Sequence, residues 1–174
     1  MVEILVLGAT LVLAAGASGV EGWRRAAATR ALDRFARWRG HHCAPPSPVV
    51  GVKSARAFGM RGESRFAIDF CRIKGRPHTR VEVDAPAGRL ARVDVVHRRG
   101  AYIVYGLDEA DGDELRAAAT SSRLEDRRGV RLSSDGARVT LVWAGLETDP
   151  MVLDSALDLA LAAARFERAD APYR

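Results

Sequence analysis

Lysine is almost missing from this chain: of its 27 basic residues two are lysine and 25 arginine. Cysteine (two residues), histidine (four) and aromatics (6%) are also scarce. Each shortage excludes something. Cys43 and Cys71 make no disulfide framework and have no CxxC or zinc-finger spacing, so they read as free thiols. The histidines, at 41, 42, 78 and 97, form no HExxH set. His41, His42 and Cys43 are metal-ligand types, but adjacent residues rarely converge on one ion and no second cluster follows. No GxGxxG, Walker-type loop, GxSxG or kinase signature occurs. The basic residues of the sheet region are not interleaved with aromatics as on a base-stacking platform, so nucleic acid is not the expected partner. No metal, no cofactor and no enzymatic activity is expected.

What the chain does have is segregation. Residues 1–106 carry 18 Lys/Arg against 8 Asp/Glu, and residues 107–174 carry 9 against 14. Such asymmetry acts through the local field more than through the total charge of +5. Residues 2–20, VEILVLGATLVLAAGASGV, contain one charge, Glu3. Nineteen helical residues span about 28 Å, close to the hydrocarbon thickness of a bilayer. The run lacks the positive n-region of a cleaved leader. A transmembrane anchor over 1–20 is therefore expected.

Residues 21–40 hold Arg24, Arg25, Arg30, Arg34, Arg37 and Arg39 against Glu21 and Asp33. By the positive-inside rule this places the N-terminus outside the cell membrane and the rest of the chain in the cytoplasm. Trp23 falls where an aromatic membrane-interface anchor belongs. The stretch also reads as a basic amphipathic helix, with Trp23, Ala27, Ala31, Phe35 and Trp38 on one face and arginines off it. Two destinations fit that face: the soluble domain, or an anionic surface that the six arginines would contact. Small-xxx-small spacings (Ala14/Ser18, Ala15/Gly19) would allow a homo-oligomer through the anchor. Membrane lipid and a protein of unstated identity are the expected partners.

A proline-rich linker is expected over 41–48 and an α+β domain over 49–174. Strand-like runs cover 49–57, 64–73, 79–84, 89–97 and 101–106, followed by a helix at 113–120 and a hairpin on Asp135-Gly136. A last helix is capped by Asp149-Pro150, with Leu153, Ala156, Leu157, Ala160 and Ala164 inward and Asp154 and Asp158 in water. The expected fold is an antiparallel sheet with two helices on one face. Hairpin registers that collect the apolar residues pair Val81 with Val93, Phe70 with Val81, and Val95 with Ile103. They also set Asp69 opposite Glu82. This like-charge pair reads as part of a solvated ladder, with a proton-sharing carboxylate pair as the functional alternative.

Overall fold

The computed structural model describes residues 2–46, 54–84 and 91–166, with side chains from Val20 onward. The architecture is α+β. Helix α1 (Val2–Arg39) is followed by strands β1 (His42–Ala44), β2 (Arg56–Arg61), β3 (Ser64–Ile73), β4 (Arg76–Asp84), β5 (Asp94–Arg98) and β6 (Ala101–Tyr105). Then come α2 (Glu109–Ser121), β7 (Arg131–Ser134), β8 (Arg138–Ala144) and α3 (Pro150–Ala163). The eight strands form one sheet in the order β1-β2-β3-β4-β8-β7-β5-β6, and every described pairing is antiparallel.

Alternation within the strands decides which face is buried. Phe66 and Ile68 of β3, Val81 and Val83 of β4, Val139, Leu141 and Trp143 of β8, and Val95 of β5 all point to one side and are buried. Helices cover that side. α3 contributes Leu153, Ala156, Leu157 and Ala160, and α2 contributes Leu115 and Ala119. α1 packs its C-terminal half into the same core through Leu32, Phe35 and Ala36, so of the two destinations open to the 21–40 helix that half takes the domain. Three helices therefore cover the sheet where two were expected. Both caps on the later helices follow the usual chemistry, with Asp108 accepting from Asp111 N–H and Asp149 from Met151 N–H.

The expected registers are corrected, and short turns are the cause. Two-residue turns with positive φ at both positions join β3 to β4 (Lys74 51°, Gly75 76°) and β5 to β6 (Arg99 50°, Gly100 80°). This is the type I′ geometry that matches strand twist. It fixes Ile73 opposite Arg76 and Arg98 opposite Ala101. Ile68 then faces Val81, two residues from the expected register, and Val95 faces Val104, one residue from it. The turn after β7 is wider than the Asp-Gly pair suggests. Asp135 Oδ1 accepts from Ala137 N–H and Arg138 N–H, so Ser134 pairs with Val139.

β4 does not pair with β5, as expected from the residues that follow it. Its neighbour is β8, with Val81 on Leu141 and Val83 on Val139. The longer apolar row of β8 buries more against β4 than residues 91–95 can. Ala91 instead donates to the carbonyl of Phe166, three residues past the end of α3. The first expected strand begins later, at Arg56, and its residues 49–53 lie outside the described residues, as do 85–90 and the tail after 166. The expected linker 41–48 contains the edge strand β1, paired with β2 through Cys43 and Ala57.

Gly106, which turns the chain from β6 toward α2, has φ 90°, and a Cβ there would lie 1.9 Å from the Arg92 carbonyl oxygen. Gly112 sits inside α2 with open space around it. Gly106→Ala should therefore destabilise by about 2 kcal/mol or more through strain and overlap. Gly112→Ala should stabilise by about 0.5–1 kcal/mol through helix propensity. Urea denaturation of the two variants checks the opposite signs.

Candidate functional site

The residues singled out by the sequence lie along α1, and the structure divides them by face. Ala28, Ala31, Leu32, Phe35 and Ala36 are 0–1% exposed. Trp23 is 66% exposed and Trp38 53%. At about 100° per residue the buried seam is rotated well away from the expected Trp23–Trp38 stripe. Only Ala31 and Phe35 belong to both. The domain thus takes one face, and the tryptophans share the free face with Arg30, Arg34 and Arg37, all exposed.

An ion cluster fixes the far end of the seam. Arg39, the last residue of α1, donates through both Nε and Nη2 to Asp154 of α3. Arg61, the last residue of β2, donates to the same carboxylate at 3.1 Å and reaches Asp158 at 3.0 Å. Asp154 is 6% exposed, so it does not stay in water as its place in the helical pattern suggests. Burial pushes the Asp158 carboxyl up. Beside the cluster, His41 lies against the Phe66 and Phe35 rings at centroid distances of 4.7 and 5.8 Å. Arg39 is therefore a structural clamp as well as a member of the expected anionic-surface set.

At the other end of the seam the structure assembles something the sequence does not announce. Glu21 accepts from Arg25 at 2.5 Å and from Arg72 of β3 at 2.8 Å. Arg25 first, then Arg72, holds the Glu21 carboxyl below its usual range. Through that contact the β3–β4 turn, which carries Ile73, Lys74 and Arg76 beside Arg72, is drawn toward the Glu21 end of α1. Val20 is 53% and Ile73 40% exposed, and the basic residues of the turn are exposed too. The β5–β6 turn, with Arg98 and Arg99, opens at the same end of the sheet, because Arg131 faces Val142 on one side and Val96 on the other. Sheet twist rotates it by roughly 60–75° from β3–β4 over three strand steps. This end of the sheet is a basic pole. The acidic start of α2 (Asp108, Glu109, Asp111) lies at the opposite end, after β6.

The six expected arginines thus have different surroundings. Arg25 pairs with Glu21, Arg37 with Asp33 and Arg39 with Asp154. Arg24, Arg30 and Arg34 are exposed. Charge sign and helical period revealed the α1 half of the pole. The hairpin half needs tertiary register, and its only local signal is the lysine-glycine turn bracketed by arginines.

The suspected carboxylate pair dissolves. Asp69 faces Arg80, not Glu82, and accepts from its Nε at 2.9 Å and its Nη2 at 2.7 Å. Arg80 also approaches Glu82 at 3.3 Å. Arg56 and Arg138 lie 3.8 Å from Glu82 on either side. The ladder on the uncovered sheet face is salt-bridged throughout this stretch. Burial raises the pKa of both free cysteines, which keeps their thiols protonated. Among the described residues no three His, Cys, Asp or Glu side chains are placed to hold a metal ion. A cleft of 660 Å³ lies between Thr29 of α1, Ala55, Phe70, Cys71 and Leu146. Its rim residues Pro46 and Ser54 adjoin the segment outside the described residues.

Comparison with protein-family models, with characterised proteins and with solved structures returns no match.

His41 gives a pH test of the clamp. Burial first, then Arg61 and Arg39, lowers its pKa below the ordinary 6.5. The unfolded chain then binds a proton that the folded one refuses, so stability falls as pH drops below 6.5 toward the folded-state value. His41→Gln should flatten the slope of unfolding free energy in that window relative to the unsubstituted chain. Denaturant titrations at stepped pH measure it, and parallel slopes would show that His41 is not the group responsible.

Proposed function

We propose that this chain is a non-enzymatic domain held at an anionic membrane surface, with α1 as its tether and the basic pole as its contact. The carrying observation is the Glu21–Arg72 ion pair, which draws the β3–β4 turn toward the Glu21 end of α1. The tether is argued from composition: residues 2–20 are apolar but for Glu3. Among the described residues no helix is long and apolar enough to cross a membrane. The expected transmembrane span therefore rests on the sequence alone.

In this reading Trp23 sits at the water–lipid boundary, Ile73 enters the headgroup layer, and Arg24, Arg25, Lys74 and Arg76 face lipid phosphates. Each basic side chain near an anionic leaflet contributes about 1 kcal/mol, screened within a Debye length. The placement matches the cytoplasmic orientation expected from the arginines. The domain would then serve as an interaction module of a membrane assembly, offering its uncovered sheet face to protein partners.

The scarcity of lysine makes the test sharp, because Lys74 is one of two lysines in the chain. With full-length protein in vesicles, acylation of Lys74 followed by peptide mass spectrometry should be several-fold slower with anionic than with zwitterionic lipid. High salt should remove the difference. Equal rates on the two lipids would eliminate pole docking. Extraction of the chain from membranes by alkaline carbonate would eliminate the spanning tether separately.

A further inference from the structure

We infer that strand β6 is an interface to a second copy of this chain, paired antiparallel about a twofold axis at Ile103. The sheet has two edges, and they are built differently. β1 is three residues long and runs into Pro45-Pro46, the short, proline-ended form that blocks further pairing. β6 is Ala-Tyr-Ile-Val-Tyr, without charge, proline or glycine, and with Ile103 36% and Tyr105 53% exposed. Long, uncharged and apolar edges are what lone sheets avoid.

The backbone groups left open follow from the ladder. β5 spends alternate residues on β7: the Val93 carbonyl accepts from Ser134 N–H and His97 N–H donates to the Val130 carbonyl. Its bonds to β6 therefore fall at Asp94, Val96 and Arg98, opposite Tyr105, Ile103 and Ala101. The N–H and C=O groups of Tyr102 and Val104 point outward. Among the described residues no strand pairs with them on that side. A second β6 meets this pattern when Tyr102 of one copy faces Val104 of the other, which closes four hydrogen bonds. Ile103 then faces its own counterpart in a non-hydrogen-bonded pair, and the large Tyr105 faces the small Ala101.

Charge selects this occupant. The same register carries the Arg98-Arg99 turn of one copy alongside the residues after Tyr105 in the other. Those include Asp108 and Glu109, at the start of α2. On α2 the exposed Asp113 and Arg116 pair with each other, so this stretch of the helix brings no net charge to the pairing. The dimer does not depend on the tether, and the two are read by different measurements.

The test is thiol cross-linking of the full chain in native membranes. Ile103→Cys places two thiols across a non-hydrogen-bonded pair, with Cα atoms about 4.5 Å apart, which a disulfide can bridge. Mild oxidation should give a covalent dimer at least several-fold more abundant than from Met151→Cys, a site 40% exposed on α3, or from the unsubstituted chain. Oligomers formed through the N-terminal helix would not distinguish the two positions. In the unsubstituted chain, hydrogen exchange should show Tyr102 and Val104 amides protected, and Ile103→Lys should release them. Equal cross-linking at 103 and 151, no covalent dimer at all, or free exchange of both amides in the unsubstituted chain would each overturn the interface.

Discussion

Everything in this fold depends on one seam, the face of α1 formed by Ala28, Ala31, Leu32, Phe35 and Ala36. Those five side chains have almost no exposure, and two of them, Leu32 and Phe35, each contribute about 2 kcal/mol or more of apolar burial. Three alanines in five positions matter as much. They let the helix approach α3 and the β1–β2 edge closely enough for Arg39 and Arg61 to share Asp154. A buried carboxylate is costly unless its oxygens are fully engaged, and here two guanidiniums from separate elements engage it. The seam supplies the energy, and the ion cluster fixes where along α3 the helix must stop.

That arrangement explains why the pole exists. α1 and β3 run in opposite directions along the sheet. Once Arg39 is fixed beside Arg61 at one end, Glu21 must arrive near the β3–β4 turn at the other. The Glu21–Arg72 pair is exposed and worth little as stability. It reports the position that the buried contacts impose. The single acid there is shared by two arginines, Arg25 of the helix and Arg72 of the strand.

The elements that pattern and capping define were legible in the residues. α3, with Asp149 and Pro150 at its start, and the inward rows of β3, β4 and β8 follow from period and cap alone. The faces of β3 and β4 were legible as well, because a two-residue register slip leaves inward residues inward; that of β6 was not, because a one-residue slip turns Tyr102 inward and leaves Ile103 and Tyr105 exposed. The partners were not. Nothing local in β4 says that β8, more than fifty residues later, will displace the next strand in sequence. The competition is settled by how much apolar surface each candidate brings. Asp154 was misplaced for a related reason. Helical period puts it at the border of the buried face, and only Arg39 and Arg61, distant in sequence, make its burial tolerable. The tryptophans misled in the same way: Trp23 and Trp38 suggested the wrong seam, because large apolar side chains outweigh alanines in a periodicity argument although alanines pack a close helix contact better.

A helix that enters the core unbroken also changes what attachment at a surface means. A proline-rich linker after a short anchor would have left the domain free to tumble, with an effective concentration at the lipid but no fixed orientation. The prolines instead follow α1 and β1, so they lie beyond the clamp. On the proposed placement, tilt and rotation of α1 pass directly to the sheet, and the orientation of the basic pole is set by the seam instead of by the lipid. Arginine suits such a rigid contact. Its guanidinium reaches phosphate oxygens through a planar fork that loses little freedom on binding. The helix that carries the exposed Arg24, Arg30 and Arg34 therefore fixes the face from which they extend.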